Sequence, residues 1–339
     1  MMTAFTIVAP GKTEFREVPV PVPAADEVLI RVCLVGYCGS DLNTFRGLNP
    51  MVSYPRIPGH EISGTLEAVG ASVPTPWRPG MDVTLSPYTQ CGECSACRQQ
   101  RPNCCRRNQT LGVQRDGALT EFIVAPWNKL FASPALGLRE LALVEPLTVG
   151  GHAAARGQVQ AGDTVCVLGC GAIGLGAVAG AAFRGARVLA VDIDAAKLAL
   201  ASQAGASHTL DSSRCDLHAE LQALTQGEGP DVVIEAIGLP ATFTAAVDEV
   251  AFAGRVVYIG YAKHQVEYQT KLFVQKELDI RGSRNALPAD FTAVIRLLEA
   301  RRFPLAEVVT RVYPFRQAGQ ALADWHAVPA AFTKILIEM

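Results

Sequence analysis

The segment TVCVLGCGAIGLGAVAGAAF, residues 164–183, constrains the fold of this chain more than any other. Five residues of strand character, 164–168, run directly into Gly169-Cys170-Gly171-Ala172-Ile173-Gly174 and then into a Gly- and Ala-rich stretch of helical length. Between a strand and a helix, G-x-G-x-x-G allows a tight turn and close backbone approach, and the helix N-terminus offers free N–H groups to a pyrophosphate. Gly169, Gly171, Ala172, Ile173 and Gly174 are therefore candidate cofactor contacts. Alone the hexapeptide is a weak signal, and its surroundings sharpen it. The next candidate strand, 187–191 (RVLAV), ends at Asp192, eighteen residues beyond Gly174. An acid there accepts hydrogen bonds from the adenosine ribose and repels a 2′-phosphate, which favours NAD over NADP. Lys197 is a candidate for the same ribose, beside its plainer reading as a solvated helix lysine.

Further strand candidates follow at 231–236 (DVVIEA), 255–259 (RVVYI) and 278–282 (LDIRG), each separated by helix-length segments. Repeated strand–helix units imply an α/β domain with a parallel, doubly wound sheet. Ligands of such sheets lie at the carboxyl ends of the strands. Ile237, Gly238, Gly260 and Tyr261 follow two of those ends and are placed to line the nicotinamide half of a site; the glycines equally fit simple turns. The first 144 residues read differently, as short Pro- and Gly-punctuated runs such as 27–32 (EVLIRV) and 62–68 (ISGTLEA), a β-rich domain. A length of 339 residues suits two domains at about 100 to 200 residues each.

Cysteine usage supplies the second constraint. Five of the ten cysteines fall within residues 91–105, and Cys91, Cys94, Cys97 and Cys105 form C-x2-C-x2-C-x7-C. Thiolates at this spacing wrap one tetrahedral ion, and a structural zinc is expected. An iron–sulfur run needs its fourth cysteine after three residues and then a proline, which this segment lacks. Four thiolates close the zinc to water and substrate, so this metal braces a loop and catalyses nothing. Cys38, in Gly36-Tyr37-Cys38-Gly39-Ser40-Asp41, and His60, in Pro58-Gly59-His60-Glu61, are possible ligands elsewhere, although a lone cysteine or histidine is more often structural.

The composition, 49% hydrophobic and 18% charged with net charge −2, describes an ordinary globular chain with no basic patch for nucleic acid. The longest apolar run, 171–183, ends at Arg184, short of a membrane span, and reads as a buried helix. MMTAFTIVAPGK lacks the pattern of an export signal, so a cytoplasmic location is expected, and there ten cysteines argue for metal ligands or buried thiols over disulfides.

Cys38-Gly39-Ser40-Asp41, Gly59-His60-Glu61, the four-cysteine loop, Val144-Glu145-Pro146-Leu147 and Gly169 to Gly174 occur in the order of the zinc-dependent medium-chain alcohol dehydrogenases, and the resemblance covers essentially the whole chain. Glu145-Pro146-Leu147 resembles the polyol branch, typified by sorbitol and threonine dehydrogenases, in which glutamate replaces a cysteine ligand. This resemblance implies a GroES-like catalytic domain from 1–144 and 285–339, with the Rossmann cofactor domain, 145–284, inserted between them. It implies that Cys38, His60 and Glu145 hold a catalytic zinc, with Glu61 an alternate ligand or neighbour, and that Ser40 relays the hydroxyl proton. Three protein ligands leave the fourth position open, as a catalytic zinc requires. It implies a homodimer or homotetramer. Many relatives carry a histidine five residues after the zinc cysteine; here Asn43 stands there, so the relay beyond Ser40 is expected to run through water, the ribose or another group. The family spacing also selects Cys105 as the fourth ligand of the loop and leaves Cys104 as a spare thiol.

Ser53-Tyr54-Pro55-Arg56 and Gly282-Ser283-Arg284-Asn285 are similar to members of that branch that oxidise sugar acids. A sugar-acid carboxylate calls for a cation, and Arg suits it by bidentate pairing. Arg56 and Arg284 are the candidates, with Asn285 for a hydroxyl, whereas a neutral polyol needs neither arginine. Two other readings are an NADPH-dependent reductase, against which Asp192 speaks, and a dinucleotide-binding redox sensor, which has no need of an open zinc site.

Overall fold

A computed structural model describes all residues from Met1 to Met339. The chain divides into two compact units, one formed by Met1–Glu145 and Val308–Met339 and the other by Pro146–Glu307. In the first unit the chain makes the hairpin β1 (Met2–Ala9) and β2 (Lys12–Val18), then β3 (Glu27–Tyr37), β4 (Glu61–Val69), β5 (Asp82–Leu85), β6 (Phe122–Pro126) and β7 (Leu130–Phe131). The second unit contributes β8 (Thr164–Leu168), β9 (Arg187–Asp192), β10 (His208–Asp211), β11 (Val232–Glu235), β12 (Arg255–Tyr258) and β13 (Asp279–Gly282). The chain then returns to the first unit with β14 (Val309–Pro314) and β15 (Lys334–Glu338).

The first unit is built on a seven-stranded sheet, ordered β14-β15-β3-β4-β5-β7, with β6 paired to β3. Its central strand β3 alternates buried and exposed positions at its start and is buried throughout from Leu34 to Tyr37, where both faces are covered. The antiparallel pairing of β3 with β4 sets Gly36 opposite Glu61. Phe5, Ile30, Tyr37, Ile62 and Leu66 fill the core beneath. This arrangement brings the C-terminal end of β3, which leads to Cys38, beside the start of β4, which follows His60.

The second unit is a six-stranded sheet, ordered β10-β9-β8-β11-β12-β13, with every pairing parallel. Its inner strands are continuous apolar runs because both faces are covered: Val165, Cys166, Val167 and Leu168 are all buried. The helix Ala172–Phe183 follows β8, as the glycine pattern predicts. Gly174 cannot be replaced without displacement, since a Cβ there would lie 1.8 Å from the Gly169 carbonyl oxygen. Strand β10 (HTLD) carries no apolar signature, because it is a half-exposed edge strand, and the sequence pattern does not reveal it. The second unit runs on to Glu307, beyond residue 284 where the resemblance ends the cofactor domain. The helix Pro288–Glu299 buries Phe291, Val294, Ile295, Leu297 and Leu298, and its Asp290 Oδ2 lies 2.8 Å from His152 Nδ1 on the helix Val144–Arg156. That apolar face and the buried pair draw the segment into the second unit. No helix is long and apolar enough to cross a membrane.

Candidate active site

The helix Gly39–Phe45 begins directly after β3, and Cys38 is its N-cap. Asp41, three residues on, turns back so that Oδ2 accepts the Cys38 N–H at 2.8 Å, while its Oδ1 accepts the Gly59 N–H at 3.2 Å. One buried carboxylate thus ties the cysteine turn to the histidine turn. As a result Cys38 Sγ, a His60 ring nitrogen and a Glu61 carboxylate oxygen lie within 4.8 Å of one another. Glu145, in the first turn of the helix Val144–Arg156, is buried nearby, and its Oε1 accepts a hydrogen bond from the Tyr88 hydroxyl.

The electrostatics of these residues follow from burial and close charged neighbours. Burial raises the carboxyls of Asp41 and Glu145, the neighbouring His60 opposes that rise at both, and Glu61 adds to it. Burial alone would lower His60, yet Cys38, Asp41 and Glu145 drive it well above the usual histidine range. Lys334, from β15, is held protonated against burial by Glu61 and Cys38. Lys334 and His60 share this set with Cys38, Asp41, Glu61 and Glu145, so potential metal donors outnumber the cationic side chains. Two polar atoms are buried without partners here, His60 Nδ1 and the Ser40 hydroxyl. A cysteine, a histidine and carboxylates form a donor set suited to zinc. The residues therefore fit the catalytic metal that the resemblance implies.

The four-cysteine loop has a tighter geometry. Cys91, Cys94, Cys97 and Cys105 converge within 4.8 Å, with Sγ–Sγ separations of 3.5 Å for Cys94–Cys97, 3.9 Å for Cys94–Cys105 and 3.6 Å for Cys91–Cys105. Sulfurs about 2.3 Å from a tetrahedral zinc are about 3.8 Å apart, so the cage fits the ion. Backbone N–H groups of Cys91, Cys94 and Arg107 point at these sulfurs and favour thiolates. Cys104 lies apart from the cage, 3.9 Å from Arg101 Nη2.

In the second unit Asp192 ends β9 and its carboxylate does more than the ribose reading requires. Oδ2 accepts the Cys170 N–H at 2.7 Å, which pins the glycine turn, and Oδ1 accepts from Ile193 and Asp194. Gly171, Ala172 and Ile173 are partly exposed at the start of their helix, and Lys197 is half-buried on the next. Ile237 and Tyr261 are 44% and 80% exposed beside the carboxyl ends of β11 and β12. Glu235 lies beneath: its Oε1 accepts from the Ile237 and Gly238 N–H groups and from Thr242 Oγ1. A Cβ on Gly260 would lie 2.4 Å from Glu235 Oε2.

The three candidate substrate residues differ in setting. Arg56 is 11% exposed at its side chain, with Nη1 on Asp116 at 2.9 Å and Nη2 on Ser53 at 3.2 Å. Arg284 is exposed just after β13. Asn285 has φ of 52°, a left-handed conformation for which asparagine is well suited, so its presence has a backbone reason as well. Sequence reasoning missed Asp41, Tyr88 and Lys334 as members of the site. The spacing Cys38-x-x-Asp41 signalled the first as a helix-start cap, and a lysine opening the apolar strand KILIE hinted at the last. Tyr88 left no signal.

A GroES-like β domain, a parallel Rossmann sheet, a cysteine cage and a separate Cys/His/carboxylate convergence together define a zinc-type alcohol dehydrogenase. The comparisons agree: residues 24–135 match the alcohol dehydrogenase GroES-like domain and residues 172–300 the zinc-binding dehydrogenase domain. The chain belongs to the zinc-type medium-chain alcohol dehydrogenase family. It is 33% identical to the L-galactonate-5-dehydrogenase of Escherichia coli K12 over 90% of each chain. It is 32% identical to a sorbitol dehydrogenase of Halalkalibacterium halodurans, covering 94% of this chain and 93% of that one. An alcohol dehydrogenase from Escherichia coli CFT073, solved with the cofactor NADH, superposes with a TM-score of 0.91 at 30% identity, covering 100% and 99% of the two chains.

Proposed function

We propose that this zinc dehydrogenase uses NAD to oxidise a secondary hydroxyl of a polyol or sugar acid, and that an aldonate such as L-galactonate or L-gulonate, oxidised at C5, is the substrate. The observation that carries the reading is the convergence of Cys38 with the buried His60 and Glu61, with the buried Glu145 beside it. In this reading Cys38, His60 and Glu145 hold a catalytic zinc, and Glu61 is an alternate ligand. Bound there, zinc supplies Lewis acidity that lowers the pKa of the reacting hydroxyl. Ser40 relays the hydroxyl proton, taking it on its oxygen as its own hydroxyl proton passes onward, a role that suits a buried hydroxyl with no partner of its own. Asn43 does not titrate near neutral pH, so the proton that leaves Ser40 passes to water, a ribose hydroxyl or another group. Cys91, Cys94, Cys97 and Cys105 hold the second, structural zinc.

Gly169, Gly171, Ala172, Ile173 and Gly174 receive the pyrophosphate, Asp192 and Lys197 the adenosine ribose, and Ile237, Gly238, Gly260 and Tyr261 the nicotinamide half. The NADH in the Escherichia coli CFT073 relative supports the cofactor class. The likeness to L-galactonate-5-dehydrogenase and to sorbitol dehydrogenase supports the substrate class. Arg56 and Arg284 are the candidate carboxylate anchors, and Arg56 also pairs with Asp116. A homodimer or homotetramer is part of the reading: β13 ends the parallel sheet with an unpaired edge, and Ile280 on it is 41% exposed. A cytoplasmic location suits its free thiols.

The test is a screen of purified protein with NAD against aldonates, hexitols, pentitols, threonine and simple secondary alcohols, followed by NADH absorbance. Turnover is expected with an aldonate or a polyol. Silence across the whole panel overturns the substrate class.

A further inference from the structure

Tyr88 is a buried phenol in a place where neither the glycine pattern nor the metal-ligand pattern calls for one. It lies three residues past β5 and three before Cys91, and its hydroxyl donates to Glu145 Oε1. The residues on either side of it are fixed from outside. The Pro87 carbonyl accepts the Leu111 N–H at 3.1 Å, and the Thr89 N–H donates to Asn108 Oδ1 at 3.1 Å. Thr89 Oγ1 accepts the Gln109 N–H at 2.6 Å. Residues 108–111 are the stretch that leaves the cysteine cage directly after Cys105, so the strap carrying Tyr88 is clamped on both sides to the exit of the cage.

The geometry points to Tyr88 as a positioning residue that takes one oxygen of Glu145 and thereby sets how this carboxylate meets the catalytic metal, with the four-cysteine lobe holding Tyr88 in place. A glutamate on the first turn of a helix has rotamer freedom, and a ligand must be held close to its productive geometry. The hydrogen bond from the Tyr88 hydroxyl limits that freedom. It also gives the structural metal a reason to sit where it does: ordering its loop orders the partner of a catalytic carboxylate. The inference rests on the reading of Glu145 as a zinc ligand.

The test uses the full-length protein loaded with metal, comparing wild type, Tyr88→Phe and Asn108→Ala, with cobalt in place of the catalytic zinc as a spectroscopic probe. Tyr88→Phe keeps the ring and removes the donor. It is expected to shift the visible cobalt bands, to speed metal loss to a chelator, and to lower kcat by about tenfold, the size of one hydrogen bond to a charged group. The KM for NAD should stay within about twofold, a split that general destabilisation would not produce. Asn108→Ala, which leaves Tyr88 intact and frees the Thr89 N–H, should move the cobalt bands in the same direction by less, and it keeps the test open should the first variant not fold. In a Glu145→Gln background Tyr88→Phe should add nothing. Unchanged cobalt bands and kcat in Tyr88→Phe, with two metals bound in the wild type, overturn the role of Tyr88 alone. A wild type that binds a single metal per chain overturns the zinc reading and the inference with it.

Discussion

Lys334 Nζ lies 2.5 Å from Glu61 Oε2, and the two side chains are only 4% and 1% exposed. The ammonium also donates to the Tyr37 carbonyl at 3.1 Å. A Cβ on Gly36 would meet Glu61 Oε2 at 2.2 Å, so glycine on the partner strand is what makes room for the pair. Removing one member of such a pair leaves an uncompensated buried charge. Lys334→Met is expected to destabilise the protein by about 3 to 5 kcal/mol, read as a lower denaturation midpoint. Lys334→Met with Glu61→Gln should recover a large part of that loss. Additive effects of the two substitutions would show that the residues do not act as a pair.

Metal analysis should find two zinc ions per chain. Cys105→Ser should lose one of them, since its sulfur closes the cage, and Cys104→Ser should keep both, since that thiol faces Arg101. Equal metal content in the two variants would contradict the assignment of Cys105.

Asp192→Ser should lower the preference for NAD over NADP by about tenfold or more, because the carboxylate that repels a 2′-phosphate is gone. The affinity for NAD should fall as well, since the same carboxylate pins the Cys170 N–H in the glycine turn. The measurement is the ratio of kcat/KM values for the two cofactors.

Arg284→Met should raise the KM for an aldonate far more than the KM for a neutral polyol, by about tenfold or greater, the scale of a charge-assisted bidentate contact. Equal effects on both substrates would remove the carboxylate role. Arg56→Met should act mainly on stability, through the loss of its Asp116 pair.

The cage has a defined pH response in the metal-free protein. N–H groups of Cys97 and Arg106 pull the Cys94 thiol down to about 6, while burial and the neighbouring Cys94 push Cys97 up to about 11. Between about 9 and about 6 the folded chain holds Cys94 as thiolate while the unfolded chain, with an ordinary value of 9.0, holds a thiol. The unfolded state then binds more protons, so this contribution is full above about 9 and is lost as pH falls through about 6. Alkylation of metal-free protein at pH 7, followed by peptide mass spectrometry, should modify Cys94 before Cys97. Equal rates would contradict the split.

Much of the nucleotide-binding unit was legible in the sequence because its signals are local. A buried parallel strand needs a continuous apolar run, and a turn between strand and helix needs glycine where the backbone passes within reach of itself, as Gly174 does at Gly169. The four-cysteine cage was legible for the same reason, since its ligands fall within fifteen residues and converge through short loops. Strand β10 was not, because an edge strand with one neighbour has little surface to bury. The extent of the second unit was set by the apolar face of the helix Pro288–Glu299 and by the pair of His152 with Asp290, which lie 138 residues apart.

The sequence by itself determined which chemistries were available: a dinucleotide turn, an acid at the end of the second strand of the parallel sheet, and thiols at metal spacing. Only the tertiary structure decided that Cys38, His60 and Glu61 meet, through the pairing of β3 with β4 and the bridge of Asp41 between two turns. It alone brought Lys334 from the C-terminal strand and Tyr88 from the approach to the cage against the two glutamates. Charge and hydrogen-bond partners are chosen by distance in space, and in this unit the strands that set those distances are separated by up to 273 residues of chain.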